Sequence, residues 1–206
     1  MKFSNGDAID VALASALKHE FLRCSDAFED FAASAKLSLV KPKDRRIAFR
    51  TYNAYGRFIH HLYEFYLGAA ARDRQDNATL SAELAERYIH SYAQRALNIR
   101  REAILDGSAP SWENHISYYP EKIPDGFPRE FRKFRNVVSG HVTGERVTLS
   151  LTDFYERNHK FLGILFQHAG GHWGRIDDDF PDFKEITAFS VAVKESDADS
   201  DCLIGA

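Results

Sequence analysis

The sequence predicts an all-α protein, a helical bundle of four to five helices, and three observations carry that expectation. Apolar residues recur in alternating steps of three and four along four separate segments, which is the spacing of one helix face. All 6 prolines lie outside those segments, and half of them fall within residues 107–127. The one stretch that alternates as a strand would, EITAFSVAVKE at 185–195, finds no strand partner elsewhere in the chain.

Each element has its own signals. The first helix is expected over 7–33, with Ala14, Leu17, Phe21, Cys24, Phe28 and Phe31 as its inner stripe and Ser4/Asp7 spaced as a capping box. The second, over 44–70, follows Pro42 and carries Ala48, Tyr52, Tyr55, Ile59, Leu62, Tyr66 and Ala69 on one face. The third spans 80–104 with Ala85, Tyr88, Tyr92, Ala96, Ile99 and Ala103, and Gly107 ends it. Residues 107–127 then form a long loop rich in proline and aromatics, among them Trp112, Tyr118 and Tyr119. A short helix is expected over 128–139. The last runs over 150–168, opened by Ser150 and Asp153 at capping-box spacing and closed by Gly170–Gly171. Segment 185–195 stays unassigned.

Composition bounds the function. With 206 residues the chain can form one domain with a full core, expected over 1–175, followed by an acidic C-terminal extension over 176–206. No run approaches the length of apolar sequence that a membrane span requires. The opening MKFSNGDAID meets Asp7 and Asp10 before any apolar region, unlike a signal peptide. Cys24 and Cys202 are too few for a disulfide framework, so a reducing cytoplasm is the expected compartment. Net charge is -3, which excludes a generic basic nucleic-acid binder, yet the charge is unevenly spread. Residues 41–57 hold six Lys/Arg against one Asp, and 129–146 hold five against two Glu. Residues 177–201 hold nine Asp/Glu against two Lys and hide both basic segments from the sum.

The second basic segment contains FRKFRNVVSGHVTGE at 131–145. In an unbroken helix, residues six apart are rotated by roughly 240°, so Arg135 and His141 would face apart. Gly140 can take the left-handed conformation that ends a helix, letting His141 fold back beside Arg135 and Asn136. Arginine, then asparagine, then a histidine after an intervening stretch, late in a small helical bundle, resembles the HEPN superfamily. The motif reads Arg135-Asn136-Val137-Val138-Ser139-Gly140-His141, with five residues between Arg and His where the family most often has four. The resemblance takes in most of residues 5–169.

That resemblance implies a metal-independent RNA endonuclease acting as a homodimer, two Arg–His pairs forming one composite site. His141 would move protons to and from the ribose 2′-oxygen and the leaving oxygen, ending in a 2′,3′-cyclic phosphate. Arg135 would bind the scissile phosphate and its growing charge, with Asn136 orienting phosphate or imidazole. No metal or other cofactor is implied. The implied partners are RNA, a second copy of the chain and an antitoxin-like protein, with no membrane. The alternatives are a non-catalytic HEPN-like module that binds RNA or a partner protein, and an unrelated bundle with a fortuitous motif.

Other polar residues are candidates to bind RNA or support the site: Arg132, Lys133, Arg57, His61, Glu64 and Asn158. On the second helix Arg57–His61 and His60–Glu64 are four apart, and that polar face either is plainly solvated or lines a dimer groove and supplies supporting polar groups. HHLYE at 60–64 lacks the spacing of a zinc-protease helix. His168 and His172 are also four apart, but two glycines lie between them. Asn158 is expected on the inner stripe of the last helix, within reach of the loop that carries His141.

Overall fold

The computed structural model describes residues 1–113, 115–140, 144–173, 185–191 and 193. Every regular element among them is helical; no strand occurs, and Lys2 and Asp76 form an isolated bridge. By internal contacts the chain divides into Met1–Ile176 and Asp177–Ala206. In the second unit, residues 185–191 are helical, which assigns a segment that the sequence left open. In the first, α1 spans Ala8–Val40, α2 Arg45–Asp73, α3 Ala82–Leu105, α4 Phe127–Phe134, α5 Glu145–Thr148 and α6 Leu151–His168. No helix among the described residues is long and apolar enough to cross a membrane.

The helix starts follow capping chemistry. Asp7, rather than Ser4, caps α1: its carboxylate accepts from the Ile9 and Asp10 amides and also holds the Ser4 amide. Asp44 caps α2 in the same way, and the Ser81 and Ser150 hydroxyls cap α3 and α6. Helix α1 runs seven residues past the expected end at 33, to Val40, because nothing in SAKLSLV breaks it. Those added turns carry exposed Leu37, Leu39 and Val40.

Helix α2 is the hub. Its stripe is buried as expected at Tyr55, Ile59, Leu62, Tyr66 and Ala69, but Phe58, His61 and Phe65 are buried too. One side of α2 meets α1 through Leu17, Cys24 and the rings of Phe21, Phe28 and Phe31. Another meets α6: the Tyr66 hydroxyl donates to the Leu165 carbonyl at 2.7 Å, and Tyr55 bonds His159 Nδ1 at 3.1 Å. The inner face of α3 is rotated from the expected one, with Ile89 and Leu97 inside and Ile99 exposed.

The long loop is fastened rather than free. Gln94 on α3 donates to the Glu121 carbonyl at 3.0 Å and accepts from the Ile123 amide at 2.9 Å. Tyr119 and Ile123 are buried, whereas Trp112 and Tyr118 are exposed. The loop thereby delivers Phe127 and Phe131 into the core and starts α4 against α2.

Candidate functional site

Helix α4 positions the motif. Phe131 is fully buried edge-on against Tyr63 of α2, ring centroids 5.1 Å apart. Phe134 stacks on Phe154 of α6 at 4.1 Å. After Phe134 the helix continues, but Arg135–Gly140 winds as a π-turn instead of stopping. Such turns hold one residue more per hydrogen-bonded ring and concentrate at functional sites. Phe134 and Val137 are both buried across the junction, and Arg146 Nε donates to the Val137 carbonyl at 2.9 Å. Gly140 is the last residue of that winding, where the sequence also places the end of the helix.

The turn brings Arg135, Asn136 and Glu64 together. The Arg135 guanidinium donates to Asn136 Oδ1 at 2.7 Å and, through its other terminal nitrogen, ion-pairs with Glu64 Oε1. Its carbon lies 5.6 Å from the Tyr63 ring centroid, in cation–π range. Its Nε–H is buried with no hydrogen-bond partner among the described residues. Burial pushes the Tyr63 phenol up to about 12, so that ring stays protonated at neutral pH. These residues edge a groove of about 510 Å³ between α2, the start of α3 and the π-turn. Leu67, Gly68 and Leu80 form its apolar floor, and Arg132 stands on its wall.

Charge in the groove is largely balanced. Arg132 pairs with Glu86 of α3 at 2.8 Å, as Arg135 does with Glu64. Lys133 points to solvent. His60, one turn before Glu64, has a buried Nδ1 without a partner among the described residues. Burial lowers its pKa, outweighing the opposite pull of Glu64, so its imidazole is neutral at pH 7. The sequence placed His60 on the polar face, and its spacing from Glu64 was the signal that ties it to this site.

Three expected supporting residues go elsewhere. Arg57 pairs with Asp30 of α1 at 2.7 Å, on the surface. His61 is buried and meets Glu20 of α1 at 2.7 Å, so both residues fasten α1 to α2. Asn158 is buried on α6 as expected, but its amide donates to Glu130 at 2.8 Å and ties α6 to α4. His141 lies outside the described residues. No group of three or more His, Cys, Asp or Glu among the described residues could hold a metal ion.

What the arrangement offers is one oriented guanidinium with donors to spare beside an amide, a carboxylate and a neutral imidazole. Arginine has five N–H donors, and two are engaged by described residues. No family model, curated protein or solved structure matches the chain.

Proposed function

We propose that the chain is a metal-independent RNA endonuclease of HEPN type, a homodimer whose two Arg135/His141 pairs share one composite site. The observation that carries the reading is the π-turn that holds Arg135 and Asn136 at the groove. A turn wound in this way takes in one residue more than an α-turn, and the Arg-to-His spacing is one residue longer than the family's commonest. In the reaction His141 takes the proton of the ribose 2′-OH, whose oxygen attacks phosphorus. The 5′-oxygen departs with a proton from the partner copy's histidine, leaving a 2′,3′-cyclic phosphate. The free N–H groups of Arg135 bind the phosphate oxygens as negative charge grows on them.

A second reading draws on the ion pairs. Arg135 and Arg132 each face a carboxylate already, which suits a helical module that binds RNA or an antitoxin-like protein without cutting. Cleavage assays separate the two. Purified chain should cut single-stranded RNA in the presence of EDTA and sediment as a dimer. His141→Ala and Arg135→Ala should each lose about 10²–10⁴ in rate, with the double variant scarcely worse. Arg135→Lys should not rescue, since a point charge lacks the planar two-toothed grip. A monomer that retains RNA and cuts none would establish the second reading.

A further inference from the structure

A second cavity, of about 630 Å³, opens where the end of α2, the middle of α3 and the end of α6 converge. It shares no described lining residue with the Arg135 groove. Its walls are held from behind. The His172 ring is wedged edge-on against Tyr66 and Tyr92, centroids 5.5 and 5.2 Å away, and Arg72 donates to the His172 carbonyl. The Tyr92 hydroxyl donates to Asp73 Oδ2 at 2.7 Å and fixes that carboxylate. Gln75, also among the lining residues, takes the left-handed region at φ 52° and so closes the end of α2, the Asp76 amide donating back to the Ala71 carbonyl at 3.0 Å.

The polar groups are divided by charge. Arg72 is neutralised by Asp10, Nε to Oδ1 at 2.7 Å. Arg95 lines the cavity and pairs with no acidic group among the described residues. His168 and His172 both feel its charge. Burial lowers both imidazoles first; Arg100 and Arg95 act further on His168, while Asp73 opposes Arg95 and Arg72 at His172. Among the described residues the cavity therefore has one unpaired cation beside two neutral imidazoles, with a fixed carboxylate near His172. A monoanion would need Arg95 alone, whereas a dianion can also draw a proton onto an imidazole. A bare phosphate would leave most of the volume empty, so the anion comes attached to a body whose hydroxyls Asp73 can accept.

We propose that this cavity binds a small phosphomonoester, its phosphate held by Arg95 with His168 and His172 and its hydroxyls by Asp73. The test is calorimetric titration of the full chain with ribose 5-phosphate, adenosine monophosphate, ribose and gluconate. Saturable binding of either phosphate ester, with ribose and gluconate inert, is expected; which ester binds tighter names the body. Arg95→Ala should weaken it about tenfold or more, the loss of a charge-assisted bond. Arg95 is an exposed helix residue and alanine favours helix, so the variant should melt like the parent. Arg135→Ala should leave the affinity unchanged, so the outcome stands apart from RNA cleavage. The proposal is overturned by no saturable binding at millimolar ester, by gluconate binding as well as the esters, or by an affinity indifferent to Arg95→Ala.

Discussion

Replacing Glu64 with Gln removes the counter-ion of Arg135 while keeping a side chain of the same length that can still accept from the guanidinium. The stability cost is modest. The two side chains are 25% and 30% exposed, and a pair so solvated is worth about 1 kcal/mol. In a chain of this size that lowers Tm by about 2–4 °C. The effect on RNA is larger. A phosphate gripped by Arg135 would lie about 6 Å from the Glu64 carboxylate, and unit charges at that distance repel by ~3 kcal/mol at an effective dielectric of 20 and ~0.7 kcal/mol in water. With screening, about 1–1.5 kcal/mol is expected, or roughly tenfold in affinity. One more phosphate contact also steepens the dependence of log K on log salt by about 0.7 for a single strand. Fluorescence anisotropy of a labelled RNA with 2′-methoxy groups, which cannot be cut, reads both quantities between about 50 and 200 mM salt. A Glu64→Gln protein that melts near the parent yet binds with unchanged affinity and slope would refute Arg135 as a phosphate-binding group.

Two further predictions concern the scaffold. A Cβ built on Gly68 would lie 2.8 Å from Leu17 Cδ2, so Gly68→Val should cost about 1–3 kcal/mol by overpacking the α1–α2 contact. In Gly68→Ala the smaller clash is offset by about 1 kcal/mol of helix propensity and should come out near neutral; urea midpoints at constant m check both. His60, His159, His168 and His172 all have pKa values lowered by burial. The unfolded chain takes up protons at about pH 6.5 that the folded chain refuses, so this stability is present above that pH and lost as pH falls through it. Melting temperature should drop steadily from pH 7.5 to 5.5, less steeply in His159→Phe, and a flat profile would show that these rings are not held neutral.

What the sequence reveals is what local chemistry decides. Ser150 caps α6 and Phe154, Leu162 and Leu165 line it inward, because cap and stripe both act within a few residues. The inner face of α3 was misphased through Ile99, since its tyrosines and alanines suit either rotation and the partners on α2 choose between them. Arg57 and His61 carry no mark of where they go: their partners, Asp30 and Glu20, lie 27 and 41 residues away. The π-turn is likewise invisible in RNVVSG, which carries no proline and no local signal for the wider winding. Arg135 and Asn136 were legible as a pair because they are adjacent, but Glu64 completes their site from another helix.

The role of α6 as the last wall of the core bears on how the chain is made. Tyr66 bonds a carbonyl 99 residues ahead, and Tyr55 a ring 104 ahead. On a ribosome α1 and α2 can pair as soon as both emerge, since their contacts are local. The face of α2 that α6 will cover, with Tyr55 and Tyr66, must wait from Asp73 until His168 is synthesised. At about 5–20 residues per second, that wait is roughly 5–20 s. For those seconds the nascent protein displays an open aromatic surface, and a chaperone or a fast translation rate over α3 and the long loop would shorten its exposure to aggregation.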